Sequence, residues 1–198
     1  SSEADPESDP QFVAARIAGL VAHQALTLGA DAPAEQPPPL SPQHEFGGTK
    51  ATHPRYEAAS ITTGHERATH LGPLQTIKRA ADAGAHSIDV VAYPFVTDLD
   101  KVLAEFPVAD WGKYTGRFKI GGVKITIDGS PQGRTAAFTT PYLTGGPGGE
   151  KDWKGELFAP QEVINQGLKK VYGLGVPVTF HVNGDAAVDS LVTAHEFA

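Results

Sequence analysis

The chain has 198 residues, 16 Lys+Arg against 23 Asp+Glu, 22 Gly, 16 Pro, and neither Cys nor Met. With 40% hydrophobic and 20% charged residues it has the balance of a globular chain with one good core, not of a disordered or fibrous one. A net charge of −7 argues against a nucleic-acid partner, which needs Lys and Arg to neutralise phosphates, and the absence of Cys excludes disulfides, thiolate ligands and thiol nucleophiles.

Any metal must therefore be held by N and O ligands. No apolar run approaches the roughly 18 residues of a membrane span, and no basic stretch precedes an apolar one, so neither a membrane partner nor a signal peptide is read. A serine stands where an initiator methionine would, which reads as a processed or excised chain.

Residues 1–10 are acidic and almost free of apolar side chains, the composition of a disordered terminus. Over 11–29, Phe12, Val13, Ile17, Leu20, Val21 and Leu26 recur mostly at helical spacing, with Asp9 placed as N-cap and Gly29 as stop. This predicts an amphipathic helix. Residues 30–57 carry Pro33, Pro37, Pro38, Pro39, Pro42 and Pro54 with Gly47 and Gly48, which predicts a linker or irregular loop that holds neither helix nor central strand.

Over 58–198 short β-like runs alternate with helical ones. Strands are predicted over 58–63, 87–93, 122–127 and 176–181. Helices are predicted over 73–83, 99–106, 160–172 and from 186 to the end, with Asp98 and Asp100 as caps of the second. A Gly-rich loop spans 128–158, and its stretch 145–152 reads as a mobile lid. Four strands alternating with helices predict an α/β fold with βα units and a parallel sheet.

Two strand ends carry candidate chemistry. Val123, Ile125 and Ile127 alternate with Lys124, Thr126 and Asp128, so a lysine stands on the polar side of a strand expected to be largely buried. A buried lysine is costly unless it is paired, neutralised or modified, and a lone strand lysine is more often an edge or ion-pair residue than a functional one. Val178 and Phe180 alternate with Thr179 and His181, which places His181 at the C-terminal end of its strand, where parallel α/β folds gather their sites. His181 reads equally well as a ligand or as a hydrogen-bonded core residue. His53, His65 and His70 fall in loop-like sequence and match no metal-binding spacing.

Residues 122–142, GVKITIDGSPQGRTAAFTTPY, resemble a VK…DGS…RTA…PY block of the amidohydrolase-3 branch of metal-dependent hydrolases, the YtcJ-like proteins. Residues 175–196, GVPVTFHVNGDAAVDSLVTAHE, are similar to that branch's H…GD…A…D…L…E block, and Trp153 with Gly155 matches a W-x-G between the two. The resemblance implies a partial (β/α)8 TIM-type barrel of about four βα units, with one or two divalent metals, zinc first among them, at the strand ends. Such a metal activates water for attack on a small-molecule amide or formamide, since zinc lowers the pKa of its water to about 7.

By the same resemblance His181 is a metal ligand of the fifth strand, and Lys124, on the fourth, is a lysine carboxylated to bridge metals. Asp128 and Arg134 fall in the DGS and RTA motif as candidate catalytic residues, with Arg134 orienting a carbonyl or carboxylate; stiffening of the loop is the other reading of both. The H-x-H pair, the sixth-strand His and the eighth-strand Asp that the branch uses have no counterpart here. The length falls below the roughly 250 residues of a full barrel, so the chain reads as a fragment. Its open edge calls for the remaining strands or for a homodimer mate. The alternative is a non-catalytic binding protein built on a partial barrel.

Overall fold

The structure is a computed structural model that describes residues 47–198. The expectations for 1–10, 11–29 and most of the linker lie outside the described residues. Its first element, α1 (Gly47–Ala58), corrects the linker reading, because the helix contains Pro54. A proline within a helix removes one backbone hydrogen bond and costs about 3 kcal/mol. The offsetting contact is tertiary: His53 on α1 is buried against His86.

The expected strand over 58–63 is instead the end of this helix. Ala59, Ser60 and Ile61 return their N–H groups to the carbonyls of Tyr56 and Glu57, and Ser60 takes the left-handed conformation at φ 60°. Strand β1 (Thr63–Thr69) follows, a polar segment whose place is set by its parallel ladder with β2 (Asp89–Pro94), from Thr63 opposite Asp89 to Arg67 opposite Tyr93. Pattern reading misses a strand that exposes most of its side chains.

Between them α2 (Leu71–Asp82) buries Leu74, Ala80 and Ala81 at helical spacing. After β2 come α3 (Leu99–Glu105), β3 (Phe118–Ile120), β4 (Val123–Thr126), the long loop, α4 (Gln161–Gly173), β5 (Val178–His181) and α5 (Asp185–Phe197). Every strand-to-strand ladder is parallel, as an alternation of strands and helices requires.

Strands β3 and β4 are two halves of one strand line. Val90, Val91 and Ala92 of β2 face Phe118, Lys119 and Ile120, and Phe95, just past β2, bridges in parallel to Lys124. Gly121 and Gly122 lie between the halves, and there the line leaves β2 and takes β5 as its neighbour, with Lys124 opposite Thr179 and Thr126 opposite His181. Four parallel strand lines thus run β1, β2, β3/β4, β5, the partial barrel expected.

Gly122 has φ +155°, and a Cβ there would lie 2.1 Å from the Pro177 carbonyl oxygen, the group that accepts the Val123 N–H. Gly122→Ala should therefore cost about 3 kcal/mol, read as a lower urea midpoint at unchanged slope. An unchanged midpoint would show that the crossing strands can part at no cost.

Two apolar clusters fill the space between strands and helices. One joins Leu74, Ala81, Ala92, Val102, Phe118 and Ile120; the other joins Val123, Ile125 and Ile127 to Ile164, Leu168 and Val171 of α4 and to Ala187 and Ala194 of α5, with Val178 and Phe180 packed on it. Since strand side chains alternate, Lys124, Thr126, Thr179 and His181 stand on the opposite, inner face.

Candidate functional site

Lys124, the second residue of β4, and His181, the last of β5, stand on one inner face of adjacent strands, two register steps apart. Lys124 is 6% exposed, and its ammonium makes no hydrogen bond or ion pair among the described residues. Burial, helped by the like charge of Arg67 from β1, pulls its pKa below the usual lysine range. Thr179, its register partner, has a buried hydroxyl with no hydrogen-bond partner among the described residues, which is unusual for a buried polar atom.

His181 is half-buried at the last position of β5, where its carbonyl accepts the Ile127 N–H at 2.9 Å. Its ring is tied to Asn183: the Asn183 amide donates to the Gly129 carbonyl at 2.7 Å and lies 2.8 Å from His181 Nε2. Nε2 also lies 3.4 Å from the Gly129 carbonyl, so Asn183 and Gly129 together hold the ring in place.

Asp128 is fully buried. One carboxylate oxygen accepts the N–H groups of Ala137 and Gly184 at 2.9 and 2.8 Å, and the other accepts the Asn183 N–H at 2.9 Å. The carboxylate is thus the joint between the end of β4, the long loop and the turn that leads into α5. Asp185 extends the same joint from the other side, accepting the Thr139 N–H at 2.8 Å and the Thr139 hydroxyl at 2.5 Å, and these bonds hold it below the ordinary carboxylate range.

Arg134 has φ +57° in a tight turn closed by its N–H on the Pro131 carbonyl. Its guanidinium donates to the Gly146 carbonyl at 3.0 Å, and its own carbonyl accepts the Trp153 indole N–H at 2.5 Å. Gly155 follows at φ +79°, and a Cβ there would fall 1.8 Å from the Ala136 carbonyl oxygen. The RTA and W-x-G motifs are therefore two sides of one loop clasp. The stretch expected as a lid is tethered within it, by Arg134 and by the bond from Gly146 N–H to the Glu150 carbonyl at 2.8 Å.

One pair at this end was not legible in the sequence. Asp98 does not cap α3 with its side chain; its carboxylate instead accepts the Leu71 N–H at 3.0 Å and lies 3.0 Å from His70 Nδ1. The His70 ring meets Phe95 edge to face. Although burial opposes it, the bonds from Leu71 and His70 bring the Asp98 carboxyl below its usual range. Twenty-eight residues separate His70 from Asp98, so local spacing carries no sign of the pair. Asp100, the other expected cap, is instead ion-paired with Lys170 of α4.

Among the described residues no group of three or more His, Asp and Glu side chains converges in a way that could hold a metal. Lys124 and His181 form the pair that shares a face; they supply part of a ligand set and need further donors. No helix among the described residues is long and apolar enough to cross a membrane.

An arc of parallel βα units with helices packed on one face of the strands is the architecture of (β/α)-barrel proteins. Residues 9–198 match the model of the amidohydrolase family, and the chain belongs to that family. It is similar to two solved structures. One is described as an uncharacterized metal-dependent hydrolase from Pyrococcus horikoshii OT3, at 25% identity and a TM-score of 0.66, covering 79% of this chain and 31% of that one. The other is described as an uncharacterized metal-dependent hydrolase from Pyrococcus furiosus, at 28% identity and a TM-score of 0.62, covering 74% of this chain and 30% of that one. The chain thus spans about a third of the length of these neighbours. No curated protein matches it.

Proposed function

We propose that this chain carries the Lys124 and His181 portion of a metal-dependent hydrolase of the YtcJ-like branch, acting on non-peptide C–N bonds of small amides or formamides. The observation that supports the reading most is Lys124: a buried strand lysine, without a partner among the described residues, on the same face as the strand-end His181. A protein rarely keeps such a group for stability.

A divalent metal, zinc by its taste for N and O donors, would supply activated water and polarise the carbonyl under attack. The residues of this chain do the rest. In its neutral form, which burial favours, the Lys124 amine can add CO2, forming an N–C bond and releasing a proton to leave a carbamate anion with oxygen donors. His181 brings imidazole nitrogen to the same face, with Asn183 and Gly129 holding the ring. Asp128 positions the β5 end through Asn183 and Gly184, and Arg134 holds the loop that walls the mouth.

The test is metal analysis of a full-length version, which carries this chain with the segments that supply the remaining donors, together with a panel of N-acyl and N-formyl compounds. Bound metal and metal-dependent turnover are expected there, and His181→Ala should weaken metal binding by about 10- to 100-fold. A full-length version that stays metal-free and inactive when metal is added, or a His181→Ala variant with unchanged affinity, would favour the non-catalytic binding protein instead.

A further inference from the structure

At the other end of the strands, away from Lys124 and His181, two histidines are packed face to face. His53 of α1 and His86, three residues before β2, are each 8% exposed, with ring centroids 5.2 Å apart and planes inclined by 29°. Backbone partners fix their tautomers. The Ser87 N–H donates to His53 Nδ1 at 3.2 Å, so that nitrogen carries a lone pair. His86 Nε2 lies 3.0 Å from the Ile77 carbonyl, which can only accept, so Nε2 carries the proton; Nδ1 is buried with no partner among the described residues.

We propose that His53 and His86 form a pH-sensitive latch, which holds α1 on the α2–β2 turn while His53 is neutral and releases it when His53 takes up a proton. Protonation at Nδ1 removes the acceptor of the Ser87 N–H and sets two donors against each other. It also places a cation in a buried stack, where a second proton on His86 would put two positive charges about 5.2 Å apart.

The surrounding charges do not cancel this. Glu57, one turn further along α1, favours the cation, but burial and His86 outweigh it and hold His53 below the usual histidine range. On α2, Lys78 is paired with Asp82 at 2.5 Å and Arg79 donates to Thr76. At the start of β2, Asp89 is paired with Arg117 at 3.1 Å.

Because the folded pKa of His53 is depressed, the contribution is present above the free-histidine pKa of about 6.5 and is lost as pH falls through the folded value. One proton taken up on release raises the opening constant about tenfold per pH unit within that window. Hydrogen exchange of the segment 47–58, corrected for the intrinsic pH dependence and compared with α4, reads this directly between pH 8 and pH 5. Protection of α1 is expected to be level above about pH 6.5 and to fall below it while α4 keeps its own.

His53→Asn, whose amide oxygen stands where Nδ1 does and can accept from Ser87 but cannot titrate, should keep α1 protected at pH 5. If the asparagine fails to hold α1 even at pH 8, His53→Phe takes its place, keeping a ring in the stack without a titratable nitrogen; lost pH dependence there supports the latch and unchanged dependence overturns it. Equal protection of wild-type α1 across the range, or a His53→Asn protein that still releases α1 on acidification, also overturns it.

Discussion

Asp128→Asn should cost about 3 kcal/mol of folding stability, and Asp128→Ala about 5, the largest losses expected of a polar substitution among the described residues. The carboxylate is fully buried and answers three backbone N–H groups from segments far apart in sequence, Ala137 in the loop and Asn183 and Gly184 after β5. Asparagine keeps the shape but has one oxygen. Whichever way the amide is turned, its NH2 faces at least one N–H donor, and that donor is left buried without an acceptor. Alanine strands all three.

Hydrogen bonds to a charged group are worth about 1.5–3 kcal/mol each, and orphaned buried donors pay their full desolvation cost. Urea unfolding measures the loss. The 128–158 loop should also become the first site of proteolytic nicking, because its link to β5 has gone. An Asp128→Asn protein within about 1 kcal/mol of wild type would mean that the three segments are held together by packing instead.

The same carboxylate explains what could and could not be read from the residues alone. The motif blocks were visible as strings, and the structure gives their shared residues a common physical purpose: DGS meets the GD turn through Asp128, and RTA meets W-x-G through Arg134 and Trp153. Such strings recognise a family because they encode a clasp, which is a different thing from encoding the reacting groups. The alternation of Val123, Ile125 and Ile127 was enough to put Lys124 on the inner face, since a buried strand has period two and a helix layer on one side.

Three things lacked a local signal. Strand β1 is polar because it exposes its side chains, and only its ladder with β2 fixes it. Helix α1 contains a proline that propensity forbids and that a buried contact at His53 offsets. The pairing of His70 with Asp98 depends on two strand ends coming together. In each case the deciding interaction is tertiary, so no window of sequence contains it.

Lys124→Met should raise stability by about 1–3 kcal/mol at pH 7 while removing whatever chemistry the site performs. The buried ammonium has no partner among the described residues, and Arg67 repels it; a thioether of similar length fills the same space without either cost. The gain has a pH signature. With its folded pKa depressed, Lys124 binds fewer protons in the folded chain than in the unfolded one over the window below about 10.4, so wild-type stability climbs as pH rises through that window. The advantage of methionine should therefore shrink between pH 7 and pH 10, as compared by urea midpoints.

On the proposed reading, divalent metal with bicarbonate, given to this chain together with the segments that supply the remaining donors, should reverse the order. A ligand bound only by the folded wild type adds about 2.7 kcal/mol at a hundred times its Kd, and Lys124→Met has no amine. A Lys124→Met protein less stable than wild type at pH 7 in the absence of metal would mark the lysine as a satisfied structural residue, and the case for a site on this face would fall with it.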